Sequence, residues 1–248
     1  MLNRLRFCAF ARQMLSLSAF AIAISACTPS LPSGTGSTGQ SGGNGSDGTT
    51  DVVVMGDSLV AYAGPQTLAD ELLSSVDVDS IVQAAPGVST TQFTRASSIH
   101  PIGLNTADEL IDLFSPRIVI IALGTNDARI LTADAGMDSG YTIDEYKASL
   151  ESIVQHARNN GACVGVVSVS EHEWEDASLD NVQLVNQTMQ EVVNRYGTSK
   201  VRVFDWNTTS RNKDWFLASD DIHHNATGRQ AYRRLIVDGV GSLIDLGC

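Results

Sequence analysis

Basic residues are scarce. The 248-residue chain sets 16 Lys+Arg against 28 Asp+Glu, a formal net charge of −12. Arg4, Arg6 and Arg12 all precede Cys27, a stretch with no acidic residue; without it, 13 basic and 28 acidic residues leave a net charge of −15. Phosphate-backbone binding needs Lys and Arg, so general nucleic-acid binding is excluded as the expectation. Long apolar runs are also missing. The N-terminal run Leu15 to Ile24 falls short of the roughly 20 residues that span a bilayer. Charged residues make up only 18% and apolar content is 43%, which excludes a wholly disordered chain. Cysteine is limited to four residues, and no Cys/His spacing builds a metal site.

The N-terminus reads as an export address. The three arginines form a basic segment, the apolar run follows, and Ile24-Ser25-Ala26-Cys27 closes it. That ending resembles a bacterial lipobox. The resemblance implies cleavage after Ala26 and lipidation of Cys27, with two or three acyl chains giving a stable membrane anchor. The plainer reading is an ordinary signal peptide with a chance cysteine. Residues 28–50 are almost entirely Ser, Gly, Thr and Pro and should behave as a flexible tether, about 25 Å in root-mean-square span. The expected organisation is a signal peptide over 1–26, a lipidated Cys27 and linker over 27–50, and a folded domain over 51–248. Cys163 and Cys248 then remain in an exported domain, where a disulfide between them and two free thiols are both open.

Five apolar runs follow the linker. They begin near Val52, Ser80, Ile118, Cys163 and Val201, and are β-branched and nearly continuous. Such runs suit strands covered on both faces. Helical patterns lie between them, near 66–75, 105–114, 142–160, 180–196 and 225–244. Thr142 and Glu145 have capping-box spacing. Gly161 and Gly197 stand where helix C-terminal glycines belong. This alternation predicts an α/β sandwich with a mostly parallel sheet, whose ligands bind beyond the carboxyl ends of the strands.

Three polar blocks fall at those strand ends: Gly56-Asp57-Ser58-Leu59, Gly124-Thr125-Asn126-Asp127, and Asp220-Asp221-Ile222-His223-His224-Asn225. They hold the parts of acyl transfer. A serine hydroxyl is a weak nucleophile until a base takes its proton. A histidine can be that base, oriented by a carboxylate. Backbone N–H groups or an Asn amide can hold an oxyanion. In order and spacing, the blocks make the chain similar to the SGNH hydrolases, also called the GDSL esterase/lipase family. The resemblance covers nearly all of 51–240. It implies a three-layer α/β/α sandwich with a five-stranded parallel, flavodoxin-like sheet. It also implies Ser58 as nucleophile, His223 as general base, Asp220 as its orienting carboxylate, and an oxyanion hole made by Ser58, Gly87 and Asn126. Gly87, in Ala84-Ala85-Pro86-Gly87-Val88-Ser89-Thr90, is the match for the family's second block, whose usual Asn is absent. Asp57 is expected to hold the turn. Asp221 and His224 also fit Asp-x-x-His, and the family template favours Asp220 and His223.

Other residues admit blander readings. The segment from Glu171 to Asp176 could suggest a metal site but reads as a solvated acidic rim loop; no metal and no cofactor are expected. His100 lies in a Ser/Thr-rich loop. Trp174 and Trp215 sit in rim loops, to contact substrate or to pack locally. The expected function is an exported, lipid-anchored serine esterase of the cell envelope. Its substrates would be short-chain acyl esters, such as O-acetyl groups on a glycan. The alternatives are an O-acyltransferase or lipase on the same site, or a non-catalytic binding lipoprotein.

Overall fold

The computed structural model describes residues 50–94, 104–131, 141–172, 174, 176–197 and 199–248, without the side chains at 176 and 177. The export segment, Cys27, the linker and His100 lie outside the described residues. No helix among the described residues is long and apolar enough to cross a membrane.

Each apolar run forms a strand: β1 (Val52–Gly56), β2 (Ser80–Ala84), β3 (Ile118–Ala122), β4 (Cys163–Val167) and β5 (Val201–Phe204). All neighbours pair in parallel, in the order β2-β1-β3-β4-β5. Side chains alternate between the two faces of a strand. Val53, Met55, Val119, Ile121, Val164 and Val166 therefore enter one core, and Val52, Val54, Ile118, Ile120 and Cys163 enter the other.

Helices cover both faces. The first core is closed by α3 (Thr90–Thr94), α4 (Ala107–Phe114), α6 (Ile143–Asn159) and α7 (Asp176–Asn194), through residues such as Phe93, Leu110, Ile153 and Val185. The second is closed by α1 (Ser58–Ala63), α2 (Pro65–Val76), α8 (Trp206–Ser210) and α9 (Ala226–Asp245), through Val60, Leu72, Trp206 and Ile236. A short α5 (Thr125–Leu131) follows β3 directly. This is the three-layer α/β/α fold with the expected flavodoxin-like strand order. The capping box at Thr142 is formed with Glu145, and Gly161 and Gly197 take φ values of +84° and +76°.

One expectation needs correction. The apolar runs read as strands covered on both faces, which holds for β1, β3 and β4, whose residues are all buried. β2 is half-buried at every position, and so are the middle residues of β5. Both are edge strands, so each lacks a covering neighbour on one side.

Cys163 at the start of β4 is disulfide-bonded to Cys248, with Cα atoms 6.0 Å apart and a sequence separation of 85. A loop of that length removes chain entropy from the unfolded state worth about 4–5 kcal/mol. Phe204, at the end of β5, lies where two other elements lack a side chain. A Cβ at Gly165 would stand 2.5 Å from Phe204 Cζ, and one at Gly239 would stand 2.4 Å from Phe204 Cε2. The two glycines let β4 and α9 close on one aromatic ring.

Candidate active site

The sheet delivers its polar blocks to one rim, beyond the carboxyl ends of β1, β3 and β5. β1 ends at Gly56, where a Cβ would stand 2.3 Å from Val60 Cγ2. Only glycine lets the chain fold from strand into α1 this tightly. Asp57 caps that helix: its Oδ1 accepts the Leu59 N–H at 2.8 Å. Burial raises the Asp57 carboxyl to about 7; the Leu59 N–H and the nearby Thr125 hydroxyl oppose the shift. Oδ2 has no hydrogen bond of good geometry. The capping holds Ser58 as the first residue of α1, 6% exposed, with its hydroxyl toward the incoming loop.

That loop carries Asp220 and His223. Asp220 Oδ1 accepts the backbone N–H groups of Ile222 and His223 at 3.0 and 2.9 Å, which locks the carboxylate against its own turn. Its Oδ2 lies 2.8 Å from His223 Nδ1, and His223 Nε2 lies 2.9 Å from Ser58 Oγ. Desolvation pushes the Asp220 carboxyl up, but the bonds from the His223 ring, the His223 backbone and the Ile222 backbone outweigh it and hold it below the ordinary range. An ionised carboxylate only accepts, so it fixes the ring proton on Nδ1. Nε2 is then the lone-pair nitrogen facing the Ser58 hydroxyl. The loop is braced by Leu217 N–H donating to the His223 carbonyl at 2.8 Å and by Asn225, which caps α9 through Gly228 N–H at 3.0 Å. Tyr62, absent from the sequence reading, sets its ring edge-on to His223 at 5.1 Å between centroids.

Asp221 and His224 are arranged otherwise. Asp221 sits at φ +54°, with its N–H on the Leu217 carbonyl. His224 is buried among Trp206, Phe216 and Tyr232, at 4.9, 5.4 and 4.9 Å between ring centroids. Neither ring nitrogen has a hydrogen-bond partner. Desolvation first, then the neighbouring His223 and Arg229, lower it to about 3, so this ring is neutral.

The opposite wall comes from the second and third blocks. Asn126, at the start of α5, donates from Nδ2 to the Val88 carbonyl at 3.0 Å, next to Gly87 at φ +78°. Among the described residues, neither the Ser58 nor the Gly87 backbone N–H has an acceptor. Asp127 makes the tie that sequence reading missed. Its carboxylate accepts the Thr90 N–H at 3.0 Å, the Thr90 hydroxyl at 2.9 Å and the Tyr141 hydroxyl at 2.5 Å. The Gly87 loop is thereby pinned to the end of β3. Burial raises the Asp127 carboxyl, opposed by these donors.

Residues 54–231 match the GDSL-like lipase/acylhydrolase family. The chain belongs to that family. Members are SGNH-type ester hydrolases, and this chain has the family's sheet. Among solved structures it resembles the esterase EstA from Pseudoalteromonas sp. inhibited by monoethylphosphonate (15% identity, TM-score 0.58, 79% of this chain and 99% of that one). It also resembles the catalytic domain of the peptidoglycan O-acetyltransferase OatA from Streptococcus pneumoniae (18%, 0.55, 79% and 96%). A third is an acetyl esterase variant holding an acetate ion (19%, 0.57, 79% and 99%). No curated protein matches it in sequence.

Around the hydrolase site, the two rim tryptophans differ. Trp215 stacks on buried Trp206 at 5.6 Å and packs against the second core, as local packing requires. Trp174 packs against the first core and lines a small pocket beside Leu59 and Ile222. Glu171 is engaged with Asn207, and His172 stacks on Phe216 at 4.2 Å. Glu173 and Glu175 lie outside the described residues.

Proposed function

We propose that this chain is an extracytoplasmic serine esterase, anchored through a lipidated Cys27, that removes short acyl groups from a cell-envelope glycan through an acyl-Ser58 intermediate. The observation that carries the proposal is the unbroken relay from Asp220 Oδ2 through His223 to Ser58 Oγ, at 2.8 and 2.9 Å. His223 Nε2 takes the Ser58 proton as Oγ adds to the ester carbonyl. The negative charge that develops on the carbonyl oxygen is met by the Ser58 and Gly87 N–H groups and the Asn126 amide. The intermediate collapses, and the imidazolium returns its proton to the departing alcohol. Water, activated by the same imidazole, then releases the acid and restores Ser58. Each proton has an acceptor on the chain, and no cofactor enters a step.

Two observations support a short acyl group. The pocket beside Leu59 and Ile222, the chain neighbours of Ser58 and His223, has about 10 Å³ of space. That is about the room one water needs, so a long chain has nowhere to go there. The acetyl esterase and O-acetyltransferase neighbours act in the same direction.

The test is hydrolysis of nitrophenyl esters of two to twelve carbons by the chain and by Ser58→Ala. The proposal expects turnover that falls steeply beyond the shortest chains and disappears in Ser58→Ala. Turnover surviving in Ser58→Ala would overturn the nucleophile, and a preference for long chains would overturn the acyl assignment. Release of free acetate, rather than its transfer to added sugar, separates hydrolase from transferase.

A further inference from the structure

A second cavity opens on the same rim of the sheet, beyond β4 and β5. Its volume is about 580 Å³, within the usual range for a small-ligand site of about 300–1,000 Å³. Every residue lining it is polar or charged. Such a lining offers hydrogen-bond partners that an acyl chain cannot use, so the cavity suits the other half of an ester. Ser170 lines both this cavity and the small pocket beside Leu59 and Ile222. His172 stacks flat on Phe216, at 4.2 Å and 11°, and Phe216 lines that small pocket. The cavity therefore adjoins the small pocket, whose wall includes Leu59 and Ile222, the chain neighbours of Ser58 and His223.

We propose that this cavity binds the alcohol part of the substrate, and that this alcohol is a saccharide carrying a carboxylate. The inference rests on the esterase reading and adds the substrate class. One wall is set for hydroxyl groups. Asn207 Nδ2 donates to Glu171 Oε1 at 2.6 Å, and the Glu171 N–H donates to Asn207 Oδ1 at 3.0 Å. The two planar groups are thus fixed before a sugar arrives, which limits the entropy lost on binding. The lining also holds two cations. Arg211 and Lys213 make no ion pair among the described residues, although the chain carries a net charge of −12. Lys213 Nζ is held 5.5 Å from the Trp215 ring centroid. A guanidinium presents a donor fork that matches a carboxylate.

The charge count narrows the ligand. Glu171 and Asp214 offset Arg211 and Lys213, so the lining has no excess positive charge. These two carboxylates oppose any anion that enters, and a doubly charged phosphate about twice as strongly as a singly charged carboxylate. The carboxylate could belong to a uronic acid or to a lactyl ether on an amino sugar, and the experiment separates these.

Calorimetry on the full chain would use three probes without an ester: trigalacturonate, a disaccharide containing N-acetylmuramic acid, and neutral N,N′-diacetylchitobiose. At least one carboxylated probe should bind ten or more times tighter than the neutral one, and which of the two binds names the source. The Arg211→Ala/Lys213→Ala variant should weaken that binding at least tenfold while its affinity for the neutral sugar changes less than twofold and its melting temperature stays that of the unaltered chain. No carboxylated probe binding, equal binding of the neutral sugar, or unchanged affinity in the double variant would each overturn the proposal. Loss of nitrophenyl acetate turnover in the unaltered chain would instead overturn the esterase reading.

Discussion

His223 and His224 are neighbours in the chain, each three residues after an aspartate, and the fold gives them opposite surroundings. His223 is half-buried between a carboxylate and a hydroxyl, with a partner on each ring nitrogen. His224 is turned into an aromatic box with a partner on neither. Successive side chains in extended backbone point to opposite sides, and His224 forms a bridge with Phe216 just before α9 begins. One side of that segment is the rim and the other is the core. The lesson is that Asp-x-x-His spacing alone does not make a base. The ring must also face a fixed carboxylate and a hydroxyl.

The two histidines should differ most at the reaction centre. Ser58→Ala and His223→Ala should each lower ester kcat/KM by about 10⁴-fold or more, whereas His224→Phe should stay within about tenfold. Steady-state kinetics checks both, and equal losses at the two histidines would erase the distinction. Asp220→Asn should cost about 10²–10⁴-fold by releasing the imidazole tautomer, while Asp221→Asn should leave kcat/KM within a few-fold. Asn126→Ala should cost about 10²–10³-fold, mainly in kcat, as loss of one oxyanion donor does.

The buried ring makes a different prediction, about stability. His224 has its folded pKa lowered from 6.5 to about 3, so between these values the unfolded chain binds the proton that the folded chain refuses. Its contribution to stability is intact above 6.5 and falls as the pH drops, by about 5 kcal/mol in the limit. Asp57 acts the other way. Its carboxyl is raised to about 7, so the folded chain holds the extra proton and gains stability as the pH falls from 7 to 3.8. The readout is therefore the difference between His224→Phe and the unaltered chain. In thermal melts that difference should grow in the variant's favour from pH 7 to pH 4, and a pH-independent difference would contradict the neutral buried ring. A smaller effect is expected at Tyr62, whose ring edge meets only the flank of His223: Tyr62→Ala should lower kcat/KM a few-fold.

Much of this was legible because it is local. β-branched runs marked five strands, glycines marked helix ends, and the three blocks at strand ends carried their own spacing. The short helices α1, α5 and α8 were not legible. They begin within three residues of a strand and are too brief to show a period. The second block also resisted, because its place is set from afar. Thr90 is fixed by Asp127, 37 positions later, and Asp127 is fixed in turn by Tyr141. Nothing in Ala84 to Thr90 announces that contact. The edge exposure of β2 was hidden for a related reason: strand order, not composition, leaves it uncovered.

The central claim is that the Asp220–His223 pair, and not its neighbour, activates Ser58. Its most direct test is covalent trapping with a small phosphonate ester, read by intact mass and peptide mapping. One adduct is expected, on Ser58, formed at an unchanged rate in His224→Phe, far more slowly in His223→Ala, and not at all in Ser58→Ala. An adduct on another residue, or equal labelling of the two histidine variants, would contradict it.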